Sequence, residues 1–172
     1  MSQFVEFFNH PFFIVVGGMA TISSILATIY TLYLIIKGIF PVWYRLGLGL
    51  STREIAIFAD TEFDSLKSLL VDSKIFQEKN ITKIDSKSIK KAEKITLFLV
   101  HWKSFKDEFE EILRVKKDTS ALIVYAPQDE GFIDKDVITK INLERNALIV
   151  NFRGRLVNDI LTCMITTSYH KR

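Results

Sequence analysis

The stretch NFRGR, residues 151–155, sets Arg153 and Arg155 on either side of Gly154, directly after an apolar run. Guanidinium groups grip phosphate or carboxylate through paired N–H donors, and the free amides at the start of a helix favour the same charge. Anion recognition is therefore the chemistry this stretch suggests. Anionic lipid or the acidic segment KDEFEEIL would satisfy the same arginines. Other polar or aromatic residues that follow apolar runs are Asp60 and Thr61, His101 and Trp102, and Tyr125 to Gln128. Each is a candidate ligand contact, with helix capping or loop packing as the alternative. No residue is assigned a catalytic role. The first apolar run continues into ADTEFD without the Gly-x-Gly-x-x-Gly of a dinucleotide site, and the sequence contains neither a Gly-Lys-Ser/Thr phosphate loop nor a Gly-x-Ser-x-Gly elbow. His10, His101, His170 and the single Cys163 show no metal-ligand spacing, so neither metal nor cofactor is expected.

These candidates acquire a common location from the elements that precede them. From Glu54 onward, EIAIFAD, NITKID, ITLFLVHW, SALIVYAPQ and NALIVNF alternate with EFDSLKSLLVDSK, SIKKAEK, SFKDEFEEILRVKK, DKDVITKINLE and RGRLVNDILTCMITTS. Continuous Val, Ile, Leu and Phe runs suit strands buried on both faces, and strict alternation with helices predicts a parallel sheet. In the helical segments Phe63, Leu66, Leu69 and Leu70, and likewise Phe105, Phe109, Ile112 and Leu113, recur on one stripe. Asp60, Thr61 and Asp134 stand where they can cap helices. Residues 54–172 are thus predicted to form an α/β domain with a five-stranded, doubly wound parallel sheet in the order 2-1-3-4-5. All the candidate ligand residues then follow strand C-termini, where such sheets bind ligands.

The N-terminal part is of a different kind. The chain of 172 residues carries 23 Lys and Arg and 20 Asp and Glu, yet residues 1–36 contain no Lys or Arg and one acid, Glu6. The net charge of +3 gives no reason to expect nucleic acid as a partner. Phe12 to Ile36 is uncharged over 25 residues, against the roughly 20 needed to cross a bilayer as a helix. A cleaved signal would have a basic start and a shorter apolar core. A retained single-pass helix is expected over 12–36, with an external lead-in at 1–11 and a juxtamembrane connector at 37–53, where Pro41 should end the helix and Trp43 and Tyr44 suit the interface. Lys37, Arg45 and Arg53 all follow the span, which places the domain in the cytosol and the N-terminus outside the inner membrane. An unpaired cysteine agrees with a reducing compartment.

Within the span, Gly17, Thr21, Ser24, Thr28 and Thr31 are spaced four, three, four and three residues apart, on one helical stripe flanked by Ala20 and Ala27. Ile22, Ile25, Ile29, Leu32 and Ile36 occupy the opposite surface. Small residues let transmembrane backbones approach closely, so the stripe predicts a homo-oligomer, and copies turning it inward would line a pore with hydroxyls. The alternative is that each hydroxyl bonds a carbonyl of its own helix.

An apolar span, a short Gly-containing connector and a compact five-stranded domain together resemble the membrane-anchored TIR-like and flavodoxin-like (Rossmann-like) effectors of bacterial antiphage defence. That resemblance implies a signalling effector whose cytosolic domain binds a nucleotide-like ligand or protein partner and whose span, embedded in membrane lipid, oligomerises to disturb the membrane. A NAD-cleaving TIR-like enzyme is the alternative it implies, with Glu108, Glu110 and Glu111 in the region of the catalytic glutamate. A tethered interaction module of a larger membrane complex is a third.

Overall fold

The computed structural model describes residues 10–167, with the side chains of residue 45 and residues 48–52 outside the description. Most of the lead-in assigned to residues 1–11, the side chain of Arg45, His170 and Ser168, the last residue of the C-terminal helical segment, accordingly lie outside the described residues. The chain divides into two compact units, 1–43 and 44–172.

The first unit consists of most of helix α1, Pro11–Thr52. Within it Pro11–Tyr44 is long and apolar enough to cross a membrane, with a mean hydropathy of 2.1 over its most apolar window. The helix does not stop at Pro41, as the sequence suggested, and the connector is helical to Thr52. Proline removes one hydrogen bond, to the carbonyl four residues back, while the turns on either side keep theirs.

In the second unit, strands β1 (Ile55–Phe58), β2 (Ile81–Lys83), β3 (Leu97–His101), β4 (Ala121–Tyr125) and β5 (Ala147–Val150) form one sheet in the order β2-β1-β3-β4-β5. Every pairing is parallel, with Ile55 opposite Leu97 and His101 opposite Tyr125. The fold class expected from sequence is the one observed. Helices α2 (Phe63–Asp72) and α6 (Leu156–Thr166) cover one face, packing Leu66, Leu70, Leu156, Ile160 and Met164 on Ile57, Leu99 and Ile123. The other face carries α3 (Trp102–Phe105), α4 (Phe109–Val115) and α5 (Lys135–Leu143), whose Phe105, Ile112 and Ile141 meet Phe58, Phe98 and Val124. Each such fully buried side chain contributes about 1.5–3 kcal/mol.

Two helical expectations are modified. The segment between β2 and β3 is a 3-10 stretch, Ser86–Lys94. It kinks at Ser88, and its Ile89 and Ala92, three apart, are buried. The segment after β3 is two short helices separated by residues 106–108. Capping also differs. Glu62 holds the position before α2 and Asp134 the position before α5, and neither makes a side-chain cap bond.

Candidate functional site

Parallel strands bring their C-terminal ends to one edge, and the order β2-β1-β3 puts the reversal of winding between β1 and β3. At that point Asp60 and Thr61 are exposed while His101 is 2% exposed. His101 closes β3 beside Tyr125 of β4, with ring centroids 6.0 Å apart. Its Nδ1 lies 2.8 Å from the Ser104 hydroxyl on α3. Its Nε2 lies 2.7 Å from a carboxylate oxygen of Glu130. Those two atoms lack hydrogen-bond geometry, and both are shut off from solvent. Glu130 ends the 3-10 turn Gln128–Glu130, and Gly131 follows at φ 108°, a conformation that residues with a side chain rarely adopt. The turn and this glycine carry the loop that sets the Glu130 carboxylate against His101.

Arg153 reaches the same group from the turn Arg153–Arg155 that precedes α6. It donates to the Ser65 carbonyl of α2 at 2.8 Å and lies 3.9 Å from the Glu62 carboxylate. It also lies against the Tyr125 phenol. Burial raises the Tyr125 pKa above its ordinary value; the Arg153 charge and its hydrogen bond oppose that shift, and Glu130 and Asp129 add to it. Arg153 therefore ties α2, β4 and α6 together. Arg155 is separate, mostly exposed, with Asp159 one turn along α6 at 3.9 Å. Gly154 is exposed, with open space where a Cβ would project. Trp102 turns inward and packs edge-on against Phe109 at 5.4 Å, in the core beneath the site.

The structure thus gathers His101, Tyr125 and Arg153, leaves Asp60, Thr61, Gly154 and Arg155 on the open rim, and buries Trp102. Sequence reasoning missed Glu130, Ser104 and Glu62. The acid beside Gly131 was a usable signal, since a glycine after a strand end marks a loop free to fold back. Among the described residues no group of three or more His, Cys, Asp or Glu could hold a metal. As it stands, the rim offers Arg155, loop amides and exposed Phe152 to a ligand. His101 is reachable only if Glu130 moves.

On the span, the hydroxyls of Thr21, Thr28 and Thr31 each donate to a carbonyl four residues back, those of Gly17, Ser24 and Ala27, all at 2.8 Å. The whole stripe from Gly17 to Thr31 is exposed, as is the opposite Ile surface.

Fold and site together define a five-stranded parallel α/β domain on a chain with, among the described residues, one helix long and apolar enough to cross a membrane. No protein-family model, curated protein or solved structure matches the chain.

Proposed function

We propose that this protein is a membrane-anchored, non-enzymatic signalling effector: its cytosolic domain binds an anionic, nucleotide-like ligand or a partner protein at the C-terminal edge of the sheet, and its span associates with copies of itself and disturbs the membrane. The observation that carries this reading is the course of α6. That helix starts at the candidate site, on Arg153 and Arg155, and its other end is held by Arg53, the residue directly after α1. Arg53 is buried and donates to both the hydroxyl and the carbonyl of Thr167, while the Thr167 hydroxyl donates to the Cys163 carbonyl. A ligand that displaces Glu62 or Asp159 from the arginines acts on the first turn of α6. A rigid helix transmits that displacement to Arg53 and so to the end of the anchor.

Lys37, Arg45 and Arg53 all follow the span and favour a cytosolic domain, because positive charge resists translocation while the chain inserts. Thr hydroxyls already bonded within their own helix leave close backbone approach at Gly17 and its small neighbours as the stronger force for association.

The test is native mass spectrometry of the full chain released from nanodiscs, with and without nucleotides. An oligomer whose size or stability changes on binding a nucleotide supports the proposal. A monomer that binds none overturns it. Consumption of NAD by the same preparation would replace it with the anchored enzyme.

A further inference from the structure

The basic charge of the domain is concentrated at the β2 edge. Residues 74–94 hold seven lysines against Glu78, Asp85 and Glu93, whereas the rest of the chain has sixteen basic and seventeen acidic residues. The three acids are already engaged: Glu78 by Lys67 at 2.6 Å, Glu93 by Lys117 at 3.2 Å and Asp85 by Lys83 at 3.9 Å. Two of those partners come from outside the segment. The lysines of the 3-10 stretch, Lys87, Lys90, Lys91 and Lys94, are exposed and make no ion pair among the described residues.

The backbone kinks at Ser88; beyond it Ile89 and Ala92 turn to the core, and Lys87 before the kink and Lys90, Lys91 and Lys94 after it are left exposed. The stretch is a cationic ridge fixed to the sheet by these two apolar residues. It follows β2, the three-residue strand at the edge of the sheet.

We propose that this ridge docks the domain onto an anionic phospholipid surface. The inference rests on the membrane-anchored reading, because a tether that holds the domain within reach of headgroups turns weak attraction into a standing contact. Charge complementarity selects the occupant: four unpaired ammonium groups on one ridge match a layer of lipid phosphates. Each is worth about a five-fold change in the docked-to-undocked ratio near an anionic leaflet, so the four together are worth on the order of several hundred-fold. The attraction acts within a Debye length and weakens with salt.

The experiment uses the full chain with Cys163→Ala, a fluorophore on Ser86→Cys at the ridge, and a reference fluorophore on Thr139→Cys of α5. The protein is placed in nanodiscs of phosphatidylcholine alone or of equimolar phosphatidylglycerol and phosphatidylcholine, each with a nitroxide quencher on the headgroups. Docking is expected to quench residue 86 more strongly in the anionic discs, with residue 139 unaffected and the effect removed by high salt. Lys87→Gln, Lys90→Gln, Lys91→Gln and Lys94→Gln combined should return residue 86 to its neutral-disc level, with unchanged Trp102 emission showing that the domain stays folded. Equal quenching of residue 86 in both discs would overturn docking alone. Failure of the chain to enter either disc would overturn the anchored reading and this proposal with it.

Discussion

Replacing Arg53 with Ala is expected to destabilise the α/β domain by about 2–4 kcal/mol. Its guanidinium makes two hydrogen bonds to Thr167, both buried. A hydrogen bond from a charged donor is worth about 1.5–3 kcal/mol net, so losing both gives roughly 3–6 kcal/mol. Part of that returns, because burying the guanidinium itself costs several kcal/mol and alanine removes the cost. Thr167→Val tests one bond of the pair: it removes the hydroxyl that accepts from Arg53 and donates to Cys163, and keeps the carbonyl that also accepts from Arg53. Its expected cost is smaller, about 1–2 kcal/mol. The two changes share a partner, so their effects should fall short of additive by about 1 kcal/mol or more. Arg53→Lys keeps the charge and loses the two-pronged geometry, and should fall between wild type and Ala. The assay is urea unfolding of the full chain in mild detergent, followed by Trp102 emission in a Trp43→Phe background, since Trp102 is buried against Phe109. If Arg53→Ala stays within about 0.5 kcal/mol of wild type, the range of ordinary surface substitutions, Arg53 is not a clamp and the proposed route from α6 to the anchor fails.

Further outcomes concern three other parts of the molecule. Cys163 is buried and its thiol is pushed up to about 11, from 9.0, chiefly by that burial, so it should resist alkylation at neutral pH until the domain unfolds. A raised folded-state pKa also means that Cys163 favours folding fully below pH 9.0 and progressively less up to about 11, a loss of roughly 2–3 kcal/mol measurable as a falling urea midpoint. Arg153→Ala removes the bond to Ser65 and should cost about 1–2 kcal/mol, while raising the Tyr125 pKa further in a phenolate absorbance titration; Arg155→Ala should leave stability within about 0.5 kcal/mol and weaken anion binding. In the span, Gly17→Leu and Ser24→Leu should reduce crosslinking between copies, whereas Ile25→Leu and Ile29→Leu should not, because lipid adapts to shape; unchanged crosslinking of the first two would make the small residues incidental.

What the sequence disclosed and what it hid divide along physical lines. Strand order was legible because β1, β3 and β4 are continuous apolar runs, and only burial on both faces permits such runs. With each strand followed by a helical crossover, handedness then leaves few arrangements. Local period was less legible. SIKKAEK shows two apolar residues three apart, a spacing common to a 3-10 turn and to one turn of α-helix, and tertiary contact with the sheet decided between them. The site was legible by position and not by partner. Strand ends locate His101, Tyr125 and Arg153, but Glu130 meets His101 across 29 residues of chain, through a loop whose course depends on Gly131. The same holds for Arg53, which in one dimension is a flanking charge of the span. Its role as a clamp arises only when α6 returns Thr167 to it over a separation of 114 residues. A charge beside an apolar span bears on topology while the chain inserts, and on architecture once the domain has folded. In the folded domain Arg53 is held by a buried hydroxyl and carbonyl, whereas the lysines of the 3-10 ridge stay exposed.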